Sequence, residues 1–253
     1  MKKILTLALS LISVAAAAQQ TGGITPEMLG RISGAYAGDA HDKAIRNALN
    51  TTDINVLATN ADKIAMPETS FSDRVVTKGI TNQKKSGRCW LFTGLNVLRA
   101  AAIQKYDLGD FQFSQSYCFF YDQLEKANLF LQAVIDTREK PMSDREVDWL
   151  FSNPIGDGGT FTGVSNLVTK YGLVPADVMP ESYIANSTSQ MSAQLRTLLR
   201  QDGLKLRETP SGVKKKDMGA YLQGLKEEML GEVYRILALC LGEPPAYFEW
   251  QGK

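Results

Sequence analysis

The chain has 253 residues, of which 44% are apolar and 22% charged, with a formal net charge of +1. That length allows one large domain or two small ones around a real core. The near-zero net charge gives no case for nucleic acid, or for an anionic membrane surface, as a general partner.

Residues 1–19 read as a secretory signal peptide. Met1-Lys2-Lys3 is basic, residues 4–14 are apolar, and residues 15–18 are alanines. This is the order of such leaders, and the apolar run is too short for a comfortable membrane span. Export to a periplasm or to the exterior is expected, with no membrane span left after cleavage. Residues 20–68 form an N-terminal arm with helices. Within it, residues 21–38 are Gly-rich and weakly patterned, and are expected to be a tether or arm. Residues 39–49 are helical, with Ala40, Ala44, Ile45, Ala48 and Leu49 on one face and Asp39 as N-cap. His41 lies in the first turn and reads as a solvated side chain. Residues 53–70 hold a short helix and an irregular lead-in.

Residues 69–253 form the main domain. Arg74-Val75-Val76-Thr77 is strand-like. The stretch that follows, Gln83-Lys84-Lys85-Ser86-Gly87-Arg88-Cys89-Trp90, carries the chemistry. Leu91, Leu95 and Leu98 behind it have helical spacing, and the helix is expected to run to about Tyr106. Gly87 is expected to allow a sharp turn just before that helix. Cys89 then sits in the first helical turn, where backbone N–H groups and the macrodipole favour a thiolate. Gln83 offers an amide donor for an oxyanion. Together these residues suggest a cysteine nucleophile for acyl transfer.

Ser114 is a good N-cap for a helix bearing Tyr117, Phe119, Phe120, Leu124 and Phe130, a stripe read as core. Ser143 and Glu146 form a capping box for a helix carrying Val147 and Leu150, stopped by Pro154. Asp157-Gly158-Gly159 breaks the pattern and allows close backbone approach. Helical patterns return over residues 161–171, where Gly172 is the stop, and over 187–201 and 221–241. Lys214-Lys215-Lys216 reads as a solvated loop. The three cysteines, at 89, 118 and 240, include no Cys-x-x-Cys, which argues against structural zinc and a redox pair. Neither a metal nor a cofactor is expected. Cys118 and Cys240 lie in apolar helical patterns and are expected to stay unpaired. His41 is the sole histidine.

Gln83 to Trp90 resembles the nucleophile segment of papain-like cysteine peptidases. The Gly87-Arg88-Cys89-Trp90 form resembles the bleomycin hydrolase and aminopeptidase C branch. The resemblance continues through Phe113-Ser114-Gln115-Ser116-Tyr117, Asp157-Gly158-Gly159, Tyr171-Gly172-Leu173-Val174-Pro175, Pro180-Glu181-Ser182-Tyr183 and Leu241-Gly242-Glu243-Pro244-Pro245.

This resemblance implies a mainly α chain. It would be the helical half of a papain-like α+β fold with helical insertions, the β-rich half missing. It implies Cys89 as nucleophile with Gln83 at the oxyanion, and Gly158, Gly159 and Trp90 as substrate-binding residues. Peptides are the implied substrates, and a homo-oligomer, a hexamer in the family, is implied for a full chain. The family's catalytic His and Asn lie far downstream of the cysteine, and residues 90–253 contain no histidine. The chain therefore reads as the N-terminal portion of an aminopeptidase, inactive alone. The alternatives are a non-catalytic peptide-binding remnant and a subunit completed by a second chain.

Overall fold

The computed structural model describes residues 23–36, 38–64, 68, 70–75, 79–208 and 210–251. The expected signal peptide lies outside them. The chain divides into two compact units, Met1–Ser72 and Asp73–Lys253.

In the first unit, helix α1 spans Pro26–Ala35 and α2 spans Ala40–Thr51. Helix α1 corrects the expected tether over residues 21–38. Thr25 caps it by accepting the Met28 N–H, and Pro26 opens it at a position that needs no amide hydrogen. Gly30 and Gly34 had diluted its apolar pattern. Asp39 caps α2 as expected, accepting from the Asp42 N–H at 2.9 Å. Two short helices, α3 (Ile54–Leu57) and α4 (Ala61–Ile64), follow. None of these helices buries a residue within the unit.

In the second unit, Arg74 and Val75 are not in a strand, and Val76 and Thr77 lie outside the described residues. Six α-helices follow: α5 (Cys89–Tyr106), α6 (Gln115–Asp136), α7 (Arg145–Ser152), α8 (Phe161–Tyr171), α9 (Ser189–Arg207) and α10 (Met218–Leu241). A 3-10 turn, Lys215–Asp217, leads into α10 where an irregular loop was expected. Among the described residues there is no strand, only two isolated bridges, Lys85 with Ser187 and Phe113 with Pro175.

Helix α6 is the central element, packed on α5, α7, α8, α9 and α10. Its Ser114 cap holds the Tyr117 N–H at 3.0 Å. Phe119, Phe120, Ala127, Leu131 and Val134 are wholly or almost wholly buried, facing Leu195 and Leu199 of α9 and Val233 and Leu237 of α10. Fully burying a Leu, Val or Phe side chain in this way contributes roughly 1.5–3 kcal/mol as it leaves water. Tyr121 stacks on Tyr171 with centroids 4.0 Å apart, tying α6 to α8. The expected Ser143 capping box is replaced by Asp144, whose carboxylate accepts the Glu146 N–H at 2.9 Å. An ionised side chain accepts more strongly than a hydroxyl. Gly172 ends α8 at φ 76°, as expected of a glycine stop.

Candidate active site

The loop before α5 bends over Ser86 and Gly87, as expected, after an unusual backbone at Lys84. Lys84 is left-handed at φ 53°, and its N–H is held by the Asn82 side chain at 2.8 Å. Gly87 has no positive φ; what it needs is space. A Cβ there would sit 2.8 Å from the Cβ of Asp157. The glycine lets the cysteine loop press against the segment that carries Gly158 and Gly159.

Gln83 is fixed through Ser86. Its Nε2 donates to the Ser86 carbonyl at 2.6 Å, and the Ser86 hydroxyl donates back to the Gln83 carbonyl at 2.7 Å. An amide NH₂ carries two hydrogens, so one stays available for a ligand. The Ser86 hydroxyl also accepts from Arg88 Nε at 2.9 Å. Arg88 is fully buried, directly before the cysteine. Its guanidinium grips both oxygens of Glu181, at 3.0 and 2.7 Å, and donates to the Ala185 carbonyl at 2.7 Å. It lies over the rings of Phe92 and Phe119. Ser116 donates to the same Glu181 at 2.9 Å. A bidentate pair of this kind fixes the orientation of the guanidinium as well as holding its charge.

Cys89 is the first residue of α5, and its thiol is exposed. No side chain caps this helix. Its first N–H groups have no intrahelical acceptor and carry the positive end of the dipole. The other two cysteines differ. Burial pushes the Cys118 thiol up to about 12, and also raises Cys240. Both are free, as expected.

Trp90 is half-buried. Its indole N–H donates to the Asp157 carbonyl at 2.8 Å. Its ring fills the space beside Gly159, where a Cβ would approach within 2.5 Å. The Asp157 carboxylate accepts from the Gly87 N–H at 3.2 Å, from Thr188 Oγ1 and, through its other oxygen, from Ser192 at 3.0 Å. Lys126 completes the clamp. Its ammonium donates to Asp122 at 2.7 Å and to the carbonyls of Gly156 and Gly158 at 3.0 and 2.6 Å. All three of its hydrogens are thereby placed. Burial holds the Asp122 carboxyl above its ordinary value, against the opposing pull of Lys126 and Gln123.

An exposed cysteine at a free helix start is thus braced against a two-glycine segment, with a side-chain amide fixed on the same loop. The Peptidase C1-like family profile matches residues 23–253. The chain belongs to the Peptidase C1-like family. It is 41% identical over 183 residues to an aminopeptidase C of Lactobacillus helveticus, which covers 72% of this chain and 40% of the relative. It is 40% identical over 179 residues to the bleomycin hydrolase of Homo sapiens, covering 70% of this chain and 38% of the relative. The crystal structure of PepW from Lactobacillus rhamnosis superposes with a TM-score of 0.76 at 36% identity, over 88% of this chain and 50% of that one. The chain spans half or less of the length of these three relatives. Among the described residues, no helix is long and apolar enough to cross a membrane.

Of the expected site residues, the second unit brings Cys89, Trp90, Gly158 and Gly159 onto one clamp, with Gln83 on the adjoining loop. His41 is exposed and belongs to the first unit. Arg88, Asp157 and Lys126 were missed as functional residues. Arg88 and Glu181 lie within segments that carry the family resemblance, but charged residues in a sequence read first as surface. Lys126, in the middle of an amphipathic helix, had no signal at all.

Proposed function

We propose that this chain is the nucleophile-bearing part of a cysteine peptidase acting as an aminopeptidase on peptides. The observation that carries the reading is the exposed Cys89 thiol at the uncapped start of α5, braced through Trp90 and Asp157 against Gly158 and Gly159.

The peptide main chain lies along Gly158 and Gly159, beside the Trp90 ring. The Cys89 thiolate attacks the scissile carbonyl, forming a C–S bond and an oxyanion. The free hydrogen of the Gln83 amide and the Cys89 N–H receive that oxyanion. As it collapses, the C–N bond breaks and the amine leaves with a proton. Water then cleaves the thioester. A histidine takes the thiol proton and passes it to the leaving amine. Residues 90–253 hold no histidine, so the base comes from outside them. These residues by themselves are proposed not to turn over.

The test compares peptides with free and acetylated N-termini, using the protein as its own cell makes it. Cleavage confined to the free form supports an aminopeptidase. Equal cleavage of both would remove that part of the reading.

The leader-like residues 1–19 support export to the periplasm or exterior. Cell fractionation with an N-terminal mass tests it; a cytoplasmic protein retaining Met1 would overturn it. Assembly of a full chain into a homo-oligomer is also proposed, by likeness to the family, and a solution mass of the full chain equal to a single copy would overturn it.

A further inference from the structure

A recess of about 430 Å3 opens beside the cysteine loop, between it, Asp157 and the start of α9. Gly87, Asp157 and Thr188 form part of its wall, and Lys84, Lys85 and Arg196 stand around it. Resting on the peptidase reading above, we infer that this recess receives an acidic side chain, Asp or Glu, on the residue whose carbonyl Cys89 attacks.

Position comes first. Gly87 lies just before Cys89 in the chain, and Asp157 just before Gly158. A peptide laid on Gly158 and Gly159 with its carbonyl at Cys89 presents the side chain nearest that carbonyl to the space these residues enclose. Charge comes second. None of Lys84, Lys85 and Arg196 forms an ion pair among the described residues. Asp157 is the one acidic group in the wall. Its two oxygens already accept from Gly87, Thr188 and Ser192. Among the described residues, three unpaired cations thus stand around one engaged carboxylate. Helix α9 adds to the field, since it begins at this wall with no side-chain cap.

A second recess shows the contrast. The cleft of about 580 Å3 between α6 and α8 also carries charges, but Lys126 pairs with Asp122 and Lys170 with Glu125. It has no net preference to offer. The recess at Gly87 does: it is open to solvent, and the cations around it attract anionic groups at low salt.

The test uses dipeptidyl chloromethyl ketones bearing Glu, Gln or Lys next to the ketone. The Cys89 thiolate displaces chloride: a C–S bond forms, the C–Cl bond breaks, and chloride leaves. No histidine is needed, so the chain itself serves. The rate of the Cys89 adduct is read by intact mass and peptide mapping. The Glu probe should react about tenfold faster than the Gln probe at low salt, with Lys slowest. High salt should compress the order. The triple variant K84Q/K85Q/R196Q should erase it, and Arg196→Gln alone should reduce it. Protection of Cys118 from iodoacetamide checks that each variant is folded. Lys170→Gln, at the other cleft, should leave the order intact.

Equal rates for Glu and Gln would overturn the inference, as would an order that survives in the triple variant. A failed peptidase reading looks different. In that case no peptidyl probe labels Cys89 faster than a chloromethyl ketone without a peptide.

Discussion

The indole N–H of Trp90 donates to the main-chain carbonyl of Asp157 at 2.8 Å. The residue after the cysteine thereby holds the residue before the paired glycines. That contact, with the Gly87 N–H on the Asp157 carboxylate, positions the thiol and the main-chain platform across two distant stretches of sequence.

That contact predicts opposite behaviour for two adjacent glycines. Gly159→Ala puts a methyl group 2.5 Å from the Trp90 ring, whereas the same methyl on Gly158 meets open space. Gly159→Ala should cost about 1–3 kcal/mol in urea unfolding and slow peptidyl labelling of Cys89. Gly158→Ala should leave stability within about 0.5 kcal/mol. Equal effects would mean that Trp90 does not pack on the segment as described.

Arg88 should be intolerant of conservative change. Replacing it strands the Glu181 carboxylate, which is itself only partly exposed, and releases Ser86. Arg88→Met should destabilise by about 3 kcal/mol. Arg88→Lys should recover little, because an ammonium cannot hold both carboxylate oxygens, Ser86 and the Ala185 carbonyl at once. Equal stability of wild type and Arg88→Lys in denaturant would contradict this.

Lys126→Met should release the Gly156 and Gly158 carbonyls and leave Asp122 buried without its cation. Hydrogen exchange should rise across residues 156–159. The loss of stability should also depend on pH. Burial already makes the Asp122 carboxyl bind its proton more tightly in the fold than in the unfolded chain. A carboxyl raised on folding loses stability as pH climbs through its folded value. Without Lys126 that fall deepens. The variant should therefore be weaker at pH 8 than at pH 5, relative to wild type. A pH-independent difference would show that Lys126 does not compensate Asp122.

Two of the three thiols should react in a fixed order. Iodoacetamide at pH 8 should label the exposed Cys89 and spare Cys118 until the chain unfolds, since burial holds that thiol protonated up to about 12. The same shift implies alkaline sensitivity. Between about 9 and about 12 the unfolded thiol ionises while the folded one does not, so stability falls across that window. Early modification of Cys118 in native protein would contradict the packing of α6.

Much of this was legible in the sequence because it depends on local periodicity and caps. Asp39 and Ser114 announced their helices, and residues 161–171 gave a helix whose bounds match α8. Cys89 at a helix start followed from the leucine spacing behind it. The clamp was not legible, because its logic is long-range. Gly87 suggested a turn, and the loop bends there, but its missing side chain answers to Asp157, seventy residues away along the chain. Arg88, Ser116 and Glu181 belonged to three separate motif segments, and only the fold shows them as one ion-pair cluster. Helix α1 was hidden because its two glycines masked a cap carried by Thr25 and Pro26.

The most direct measurement is peptide hydrolysis by the protein as its own cell makes it, wild type against Cys89→Ala. The wild type should cleave peptides with a free N-terminus, and the alanine variant, folded and with Cys118 still protected, should show none. Hydrolysis that survives in Cys89→Ala, or a wild-type protein that binds peptides and never cleaves them, would contradict Cys89 as the nucleophile of a peptidase.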